Sequence, residues 1–255
     1  MSIVFDAYSA YYDLLYQGKD YCGESKFIRD CLKGQGLPSG RLLELGCGTG
    51  KHAKQLAFLG YHIHGIDLSQ GMIEAARLRP SSIGDGASCS FDYGDARSIR
   101  LGIGFDAVIS LFHVVSYQTT KTDLLAIFAT AAAHLEPGGV FLFDFWYGPA
   151  VLTELPAVRV KRLVNSELDL IRIAEPVVHH TKNIVDVNYT ILTSSKSEGT
   201  YASFSEVHSM RYLFLPEIQE LLAESGFSIR ESLEWLSGKS LSVDSWSGMV
   251  IAVRN

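Results

Sequence analysis

Three groups of residues in this chain have types and spacing that could do chemistry. The first is Glu44-Leu-Gly-Cys-Gly-Thr-Gly50, an acid followed by glycines at alternate positions, with a second acid at Asp67. Glycine lets a ligand lie against bare main chain, and a carboxylate ending the next strand can accept from the hydroxyls of a ribose. The second group is aromatic, with Tyr8, Tyr11, Tyr12, Tyr16 and Tyr21 in one N-terminal stretch. Tyrosine combines a flat apolar face with one hydrogen-bonding tip, and aromatic faces attract cations. The third is His113 with Tyr117, at the end of an apolar run. Side chains of these types can orient a nucleophile or take its proton.

The surrounding residues predict the elements that hold these groups. Leu42 to Leu45 reads as a buried strand, the glycines as a tight turn, and Lys51 to Leu59 as a helix with shared apolar faces. Tyr61 to Asp67 is a second strand. Strand, glycine turn, helix, strand and acid make a nucleotide-binding βαβ unit. The spacing is G-x-G-x-G; it is neither the G-x-G-x-x-G dinucleotide fingerprint nor a Walker loop. Ser69 is placed to cap a helix through Met72 and Ala76. Ser88 to Tyr93 and Phe105 to Phe112 read as further strands, the latter apolar on both faces as a central parallel strand is. An alanine-rich helix over 121–135 ends at Glu136-Pro-Gly-Gly139, and the next strand runs into Asp144-Phe-Trp-Tyr147.

The pairing of Glu44-Leu-Gly-Cys-Gly-Thr-Gly50 with Gly65-Ile-Asp67-Leu-Ser resembles the S-adenosylmethionine-dependent methyltransferases of the Rossmann-like class. The resemblance implies a fold: α/β, a Rossmann-like mostly parallel sheet with helices on both faces, interrupted here by an antiparallel β insertion. It implies S-adenosyl-L-methionine as cofactor, held by Glu44, Gly46, Cys47, Gly48, Asp67, Leu68, Met72, Asp95, Ala96 and Leu111. Asp67 would bind both ribose hydroxyls, Met72 would pack on the adenine, and Asp95 with the Ala96 amide would read its edge. Taken alone, Asp95 is equally a turn former, and Met72 is equally core filling. Cys47 is the small residue that the turn needs and is not read as a nucleophile.

Tyr11-Tyr-Asp-Leu-Leu-Tyr-Gln-Gly-Lys-Asp-Tyr21 resembles the N-terminal segment of the methyltransferases that dimethylate the amine of nucleotide-linked aminosugars. There the segment covers the cofactor and a tyrosine faces the reacting amine. By position that tyrosine is Tyr16, with Tyr12 and Tyr21 as neighbours on the cofactor. His113 and Tyr117 complete the candidate catalytic set. The sugar enzymes carry a histidine close to where Tyr117 falls, which leaves the identity of any base open.

From about Val158 the pattern changes to short strands with turns expected at Asn165-Ser166, Glu175-Pro176 and Glu198-Gly199. Arg159, Lys161, Arg162 and Arg172 give this region positive charge, either as solvated strand edges or as a pocket wall for a phosphate. The expected organisation is therefore an aromatic helical lid over 1–34, a cofactor domain over 35–150 and 211–255, and a substrate-side β insertion over 151–210. The last two strands, 227–234 and 247–253, read as an antiparallel hairpin edge.

Composition bounds the partners. The chain has 255 residues, 47% hydrophobic and 20% charged, which describes a globular protein. Its net charge of −6 carries no basic block, so a nucleic-acid substrate is not expected. No apolar run reaches membrane-spanning length, and no signal peptide is visible. The four cysteines (Cys22, Cys31, Cys47 and Cys89) form no C-x-x-C pair, so reduced thiols in the cytoplasm are expected. His179-His180 has no ligand pattern around it, and no metal site is assigned. The expected partner is a small molecule, a nucleotide-linked sugar among the choices; a homodimer stays open. Two rivals remain: methyl transfer to oxygen or carbon of another metabolite, and a non-catalytic cofactor-binding module.

Overall fold

The computed structural model describes residues 9–79, 88–166, 168–197 and 199–255. Tyr8, the loop expected over 80–87, and Glu198 of the last expected turn lie outside them.

Two helices open the chain, α1 (Ser9–Leu15) and α2 (Tyr21–Gly34). The alternating unit follows: β1 (Gly40–Leu45), α3 (Lys51–Phe58), β2 (Tyr61–Asp67), α4 (Gln70–Leu78), β3 (Ser88–Tyr93), β4 (Phe105–Ser110), a 3-10 turn over Val114–Tyr117, α5 (Lys121–Ala133) and β5 (Leu135–Tyr147). After the short α6 (Gly148–Thr153) come β6 (Arg159–Val164), β7 (Leu168–His179), β8 (Ile184–Ser195) and β9 (Tyr201–Leu213). The chain closes with α7 (Leu215–Glu224), β10 (Phe227–Glu234) and β11 (Ser247–Arg254).

The central sheet runs β3-β2-β1-β4-β5-β11-β10, with β11 antiparallel to β5 and β10 antiparallel to β11. Its inner strands β1, β4, β5 and β11 are largely buried on both faces because helices cover both. Alternation along β1 and β4 sorts the core into two layers. Leu43, Leu45 and Val108 face α5 and α7, while Leu42, Ala107 and Ile109 face α2 and α3. Ile28 and Leu32 of α2 are fully buried in the second layer, so α2 packs with the sheet although the sequence groups it with the aromatic segment.

Strands β6 to β9 form an antiparallel sheet. The turn expected at Glu175-Pro176 is absent: β7 continues to His179, and Asn183 at φ +56 sits in the turn instead. Proline lacks an N–H and suits a free strand edge. Pro176 lies past Ala174, where β6 stops pairing with β7, so nothing on that edge needs its donor. The insertion joins the central sheet at one place. Trp146 and Tyr147, at the tip of β5, pair with Tyr212 and Leu213 of β9.

Candidate active site

A cavity of about 610 Å³ opens outside the carboxyl ends of β1 to β4. Small-molecule sites run to roughly 300–1,000 Å³, and open α/β sheets place ligands at this edge.

The glycine turn and the acid of β2 build one half. Gly46 has φ +77, and a Cβ there would come within 2.5 Å of Val114. Gly48 has φ +55, lines the cavity, and has open space where a side chain would project. Its N–H donates to Asp67 Oδ2 at 2.8 Å, and Ser69 N–H donates to Oδ1 at 2.9 Å. Asp67 thereby ties the turn to the start of α4, whose cap is the Ser69 hydroxyl accepting from Met72 N–H. A carboxylate has about four lone-pair sites, so Asp67 keeps acceptors for a ligand. Burial raises its pKa against the pull of the backbone donors. Leu68, Met72, Ala96 and Leu111 add apolar wall.

Asp95 also lines the cavity, but its carboxylate is clamped by Arg97. The guanidinium reaches Oδ1 at 3.0 Å and Oδ2 at 2.6 Å, then continues to Asp123 Oδ1 at 3.0 Å. That hydrogen bonding lowers the Asp95 pKa. Arg97, which the sequence did not single out, is part of the same wall.

Three expected contacts stand back from the cavity lining. Glu44 points into the α2/α3 layer because it shares the strand face of Leu42. Its side chain is buried, Oε2 has no hydrogen-bond partner, and burial beside Asp67 pushes its pKa to about 8. Cys47 turns inward against Gly65, where a Cβ would lie 2.8 Å from Sγ. Tyr21 packs edge-on against His52 at 4.8 Å, with the Lys19 and Lys51 ammonium groups over its ring.

The second half is aromatic with polar tips. Tyr12 of α1 and Tyr16, in the turn just past its end, have ring centroids 4.8 Å apart, and Tyr16 meets Phe112 edge-on at 5.1 Å. Asp13 fastens α1 to the glycine turn: it accepts from the Thr49 hydroxyl at 2.8 Å and pairs with Lys51 at 3.1 Å and Arg79 at 2.5 Å. On its other side Leu15 is buried against Leu170 and Ile191 of the insertion.

Phe112 and His113 both hold positive φ, at 63° and 64°. Such conformations cost of order 1–3 kcal/mol each in non-glycine residues. The buried Asp144 offsets this by gripping His113 twice, through its backbone N–H at 2.9 Å and its ring Nδ1 at 2.8 Å. With Nδ1–H donating to the carboxylate, Nε2 keeps its lone pair. Tyr117 reaches across to the insertion, where its hydroxyl lies 2.8 Å from His208 Nδ1. Trp146, Tyr189 and Met210 complete this half. The cavity thus gathers Tyr12, Tyr16, His113 and Tyr117 as the sequence expects. It adds Tyr189 and His208, which carry no sequence signal beyond their place on alternating strands.

Known proteins are similar to this chain in sequence and fold. The methyltransferase domain family matches residues 42–139. A dTDP-3-amino-3,4,6-trideoxy-α-D-glucopyranose N,N-dimethyltransferase of Streptomyces venezuelae is 30% identical over 236 residues, 91% of this chain and 94% of that enzyme. The chain therefore belongs to the S-adenosylmethionine-dependent methyltransferases and is an enzyme of that class. Among solved structures, Streptomyces venezuelae DesVI is similar at 28% identity and a TM-score of 0.77, over 97% of this chain and 98% of that one. The sugar N-methyltransferase KedS8 of a Streptoalloteichus species has the same fold, with a TM-score of 0.79 at 23% identity over 96% and 92% of the two chains. Among the described residues, no helix is long and apolar enough to cross a membrane.

Proposed function

We propose that this enzyme methylates the amine of a nucleotide-linked aminosugar. The observation that carries the reading is one continuous cavity with two chemically distinct halves meeting at Phe112 and His113. Its first half fits S-adenosylmethionine. Gly48 leaves open the space a Cβ would fill, and Asp67 faces the cavity with acceptor capacity beyond its backbone donors. Gly46, Gly48, Asp67, Leu68, Met72, Asp95, Ala96 and Leu111 would hold it, with Tyr12 covering it. When bound, that cofactor supplies a methyl group already activated on a sulfonium.

The chain's own residues then have two tasks: holding the acceptor in line and keeping its lone pair free. The His113 Nε2 lone pair, fixed by Asp144, can accept an N–H of the amine, and the Tyr16 and Tyr117 hydroxyls can orient it. Arg172 supports a phosphate-bearing substrate. It lies beside this half, with Nη1 3.4 Å from the Tyr16 hydroxyl, and Lys161 is near the same ring at 5.8 Å. The substrate-bearing relatives support the same class: the Streptomyces venezuelae relative is named for a dTDP-aminosugar.

We assign cofactor binding to 35–150 with 211–255 and substrate selection to 151–210. Within 1–34, α1 covers the cavity and α2 supports the sheet. Four unpaired cysteines fit a reducing compartment, and we assign the enzyme to the cytoplasm. A homodimer is testable by light scattering.

Mass spectrometry of reactions with dTDP-linked 3-amino and 4-amino sugars, the free aminosugars, and phenolic acceptors tests the reading. Mono- and dimethylated nucleotide sugars are expected. Transfer to a phenolic oxygen with none to any amine would overturn it.

A further inference from the structure

His208 sits on β9, in the insertion and far in sequence from every motif of the cofactor half. It is 2% exposed, yet its ring lines the cavity. Among the described residues, Tyr117, Glu206 and Tyr189 lie against it. Tyr117, from the 3-10 turn, brings its hydroxyl to Nδ1 at 2.8 Å. Glu206, two residues back on the same face of β9, brings Oε2 to Nε2 at 3.2 Å. Tyr189 of β8 meets the ring edge-on at 4.8 Å and itself carries the Arg172 guanidinium of β7 over its face at 5.0 Å.

The contacts fix the direction of the chain. An ionised Glu206 can only accept, so Nε2 carries the imidazole proton. Nδ1 then holds the lone pair and accepts from the Tyr117 O–H, and a hydroxyl that donates in this way is also an acceptor.

We infer that His208 is a proton-relay and positioning residue for the acceptor amine, acting through Tyr117 with Glu206 behind it. The inference rests on the amine reading above. An acceptor ammonium gives one proton to the Tyr117 oxygen as Tyr117 gives its own to His208 Nδ1. The amine regains its lone pair, Tyr117 ends neutral, and the new imidazolium pairs with the Glu206 carboxylate. The same transfer is needed again after a first methylation, because the product amine is born with an extra proton.

His113 is the rival acceptor, and the carboxylates behind the two rings differ. His113 is itself the more exposed side chain, at 21% against 3% for His208, but its carboxylate Asp144 is 1% exposed and also holds the His113 backbone N–H, which ties that pair to the strained turn. The Glu206 side chain is 13% exposed and gives the imidazolium a route to water.

The test compares wild type with His208→Phe, Tyr117→Phe, their double variant and Glu206→Gln. Readouts are pH profiles of kcat and the ratio of mono- to dimethylated product on a dTDP-aminosugar. A relay contributes about 10²–10⁴-fold, so His208→Phe should lower kcat at neutral pH at least 10²-fold. It should accumulate monomethylated product and recover as pH rises toward the amine's own ionisation. Tyr117→Phe should match it, and the double variant should be no worse, since both lie on one path.

Glu206→Gln leaves the imidazole in place, which keeps the test sound should the buried His208→Phe chain not fold. Without its paired carboxylate the imidazolium forms less readily, so the rising limb of the profile moves to lower pH. A readout without turnover is the ¹⁵N shift of His208. Adding the dTDP-aminosugar without cofactor should carry it toward imidazolium in wild type and not in Tyr117→Phe. Variants that change only KM and keep the wild-type pH profile and product ratio would overturn the relay alone. Failure of wild type to methylate any amine would overturn the amine reading, and the relay with it.

Discussion

Glu44 offers the sharpest quantitative test of the cofactor half. It is an acid inside a strand, buried, with one oxygen unpartnered and Asp67 near enough to repel its charge. Its pKa rises from the ordinary 4.5 to about 8. Between those values the folded chain keeps a proton that the unfolded chain has lost. Stability therefore falls as pH rises through the window, with no cost below 4.5 and the full cost above 8. At 1.36 kcal/mol per pKa unit, the charge costs about 1 kcal/mol at pH 5, about 3 at pH 7 and on the order of 4–5 at pH 9. Glu44→Gln has the same shape and cannot ionise, so the cofactor-free variant should be more stable than wild type by that rising amount. Urea unfolding at unit steps from pH 5 to 9 measures it. A difference that stays flat or shrinks with pH would refute the account of this carboxyl.

Other outcomes follow from the same geometry. Asp67→Ala removes charge-assisted acceptors worth roughly 1.5–3 kcal/mol, so affinity for S-adenosylmethionine should fall at least about tenfold by calorimetry. Gly46→Ala and Gly48→Ala should differ in how their effects divide between stability and binding. The first forces a Cβ onto Val114 and should cost about 1–3 kcal/mol in thermal or urea unfolding. The second meets only its positive φ, costing about 1–2 kcal/mol, but projects into the cavity and should weaken cofactor binding beyond its effect on stability. Asp13→Asn loosens partly exposed ion pairs, so unfolding free energy should change by no more than about 1 kcal/mol. The cofactor's dissociation rate, read by stopped-flow fluorescence, should rise severalfold.

The cofactor half was legible in the sequence because its determinants are local. Glycines at alternate positions, a strand-ending acid and a serine cap all act within a few residues of the turn they shape. Local pattern does not say which way a strand residue points, and Glu44 and Cys47 show the cost. Both belong to the motif, yet the alternation of β1 and the close fit to Gly65 turn them from the cavity. Asp95, expected to read the adenine edge, lines the cavity, and its clamp by Arg97 needed coordinates. The acceptor half was less legible because it is assembled from distant strands. His208 meets Tyr117 across 91 positions of chain, and no spacing rule reaches that far. Pro176 misled for a different reason: proline breaks a paired strand but not an unpaired edge.

The shared tip of β5 makes the two sides of the chamber differ in how they are held. Trp146 and Tyr147 are laced by main chain to β9 as well as to β11, so the wall bearing His208 is continuous with the enzyme's backbone framework. The two-turn α1 is instead latched by side chains, through Asp13 on one flank and Leu15 on the other. The wall bearing His208 thus shares the backbone pairing of the sheet, whereas the position of α1 depends on a few side chains that single substitutions can loosen.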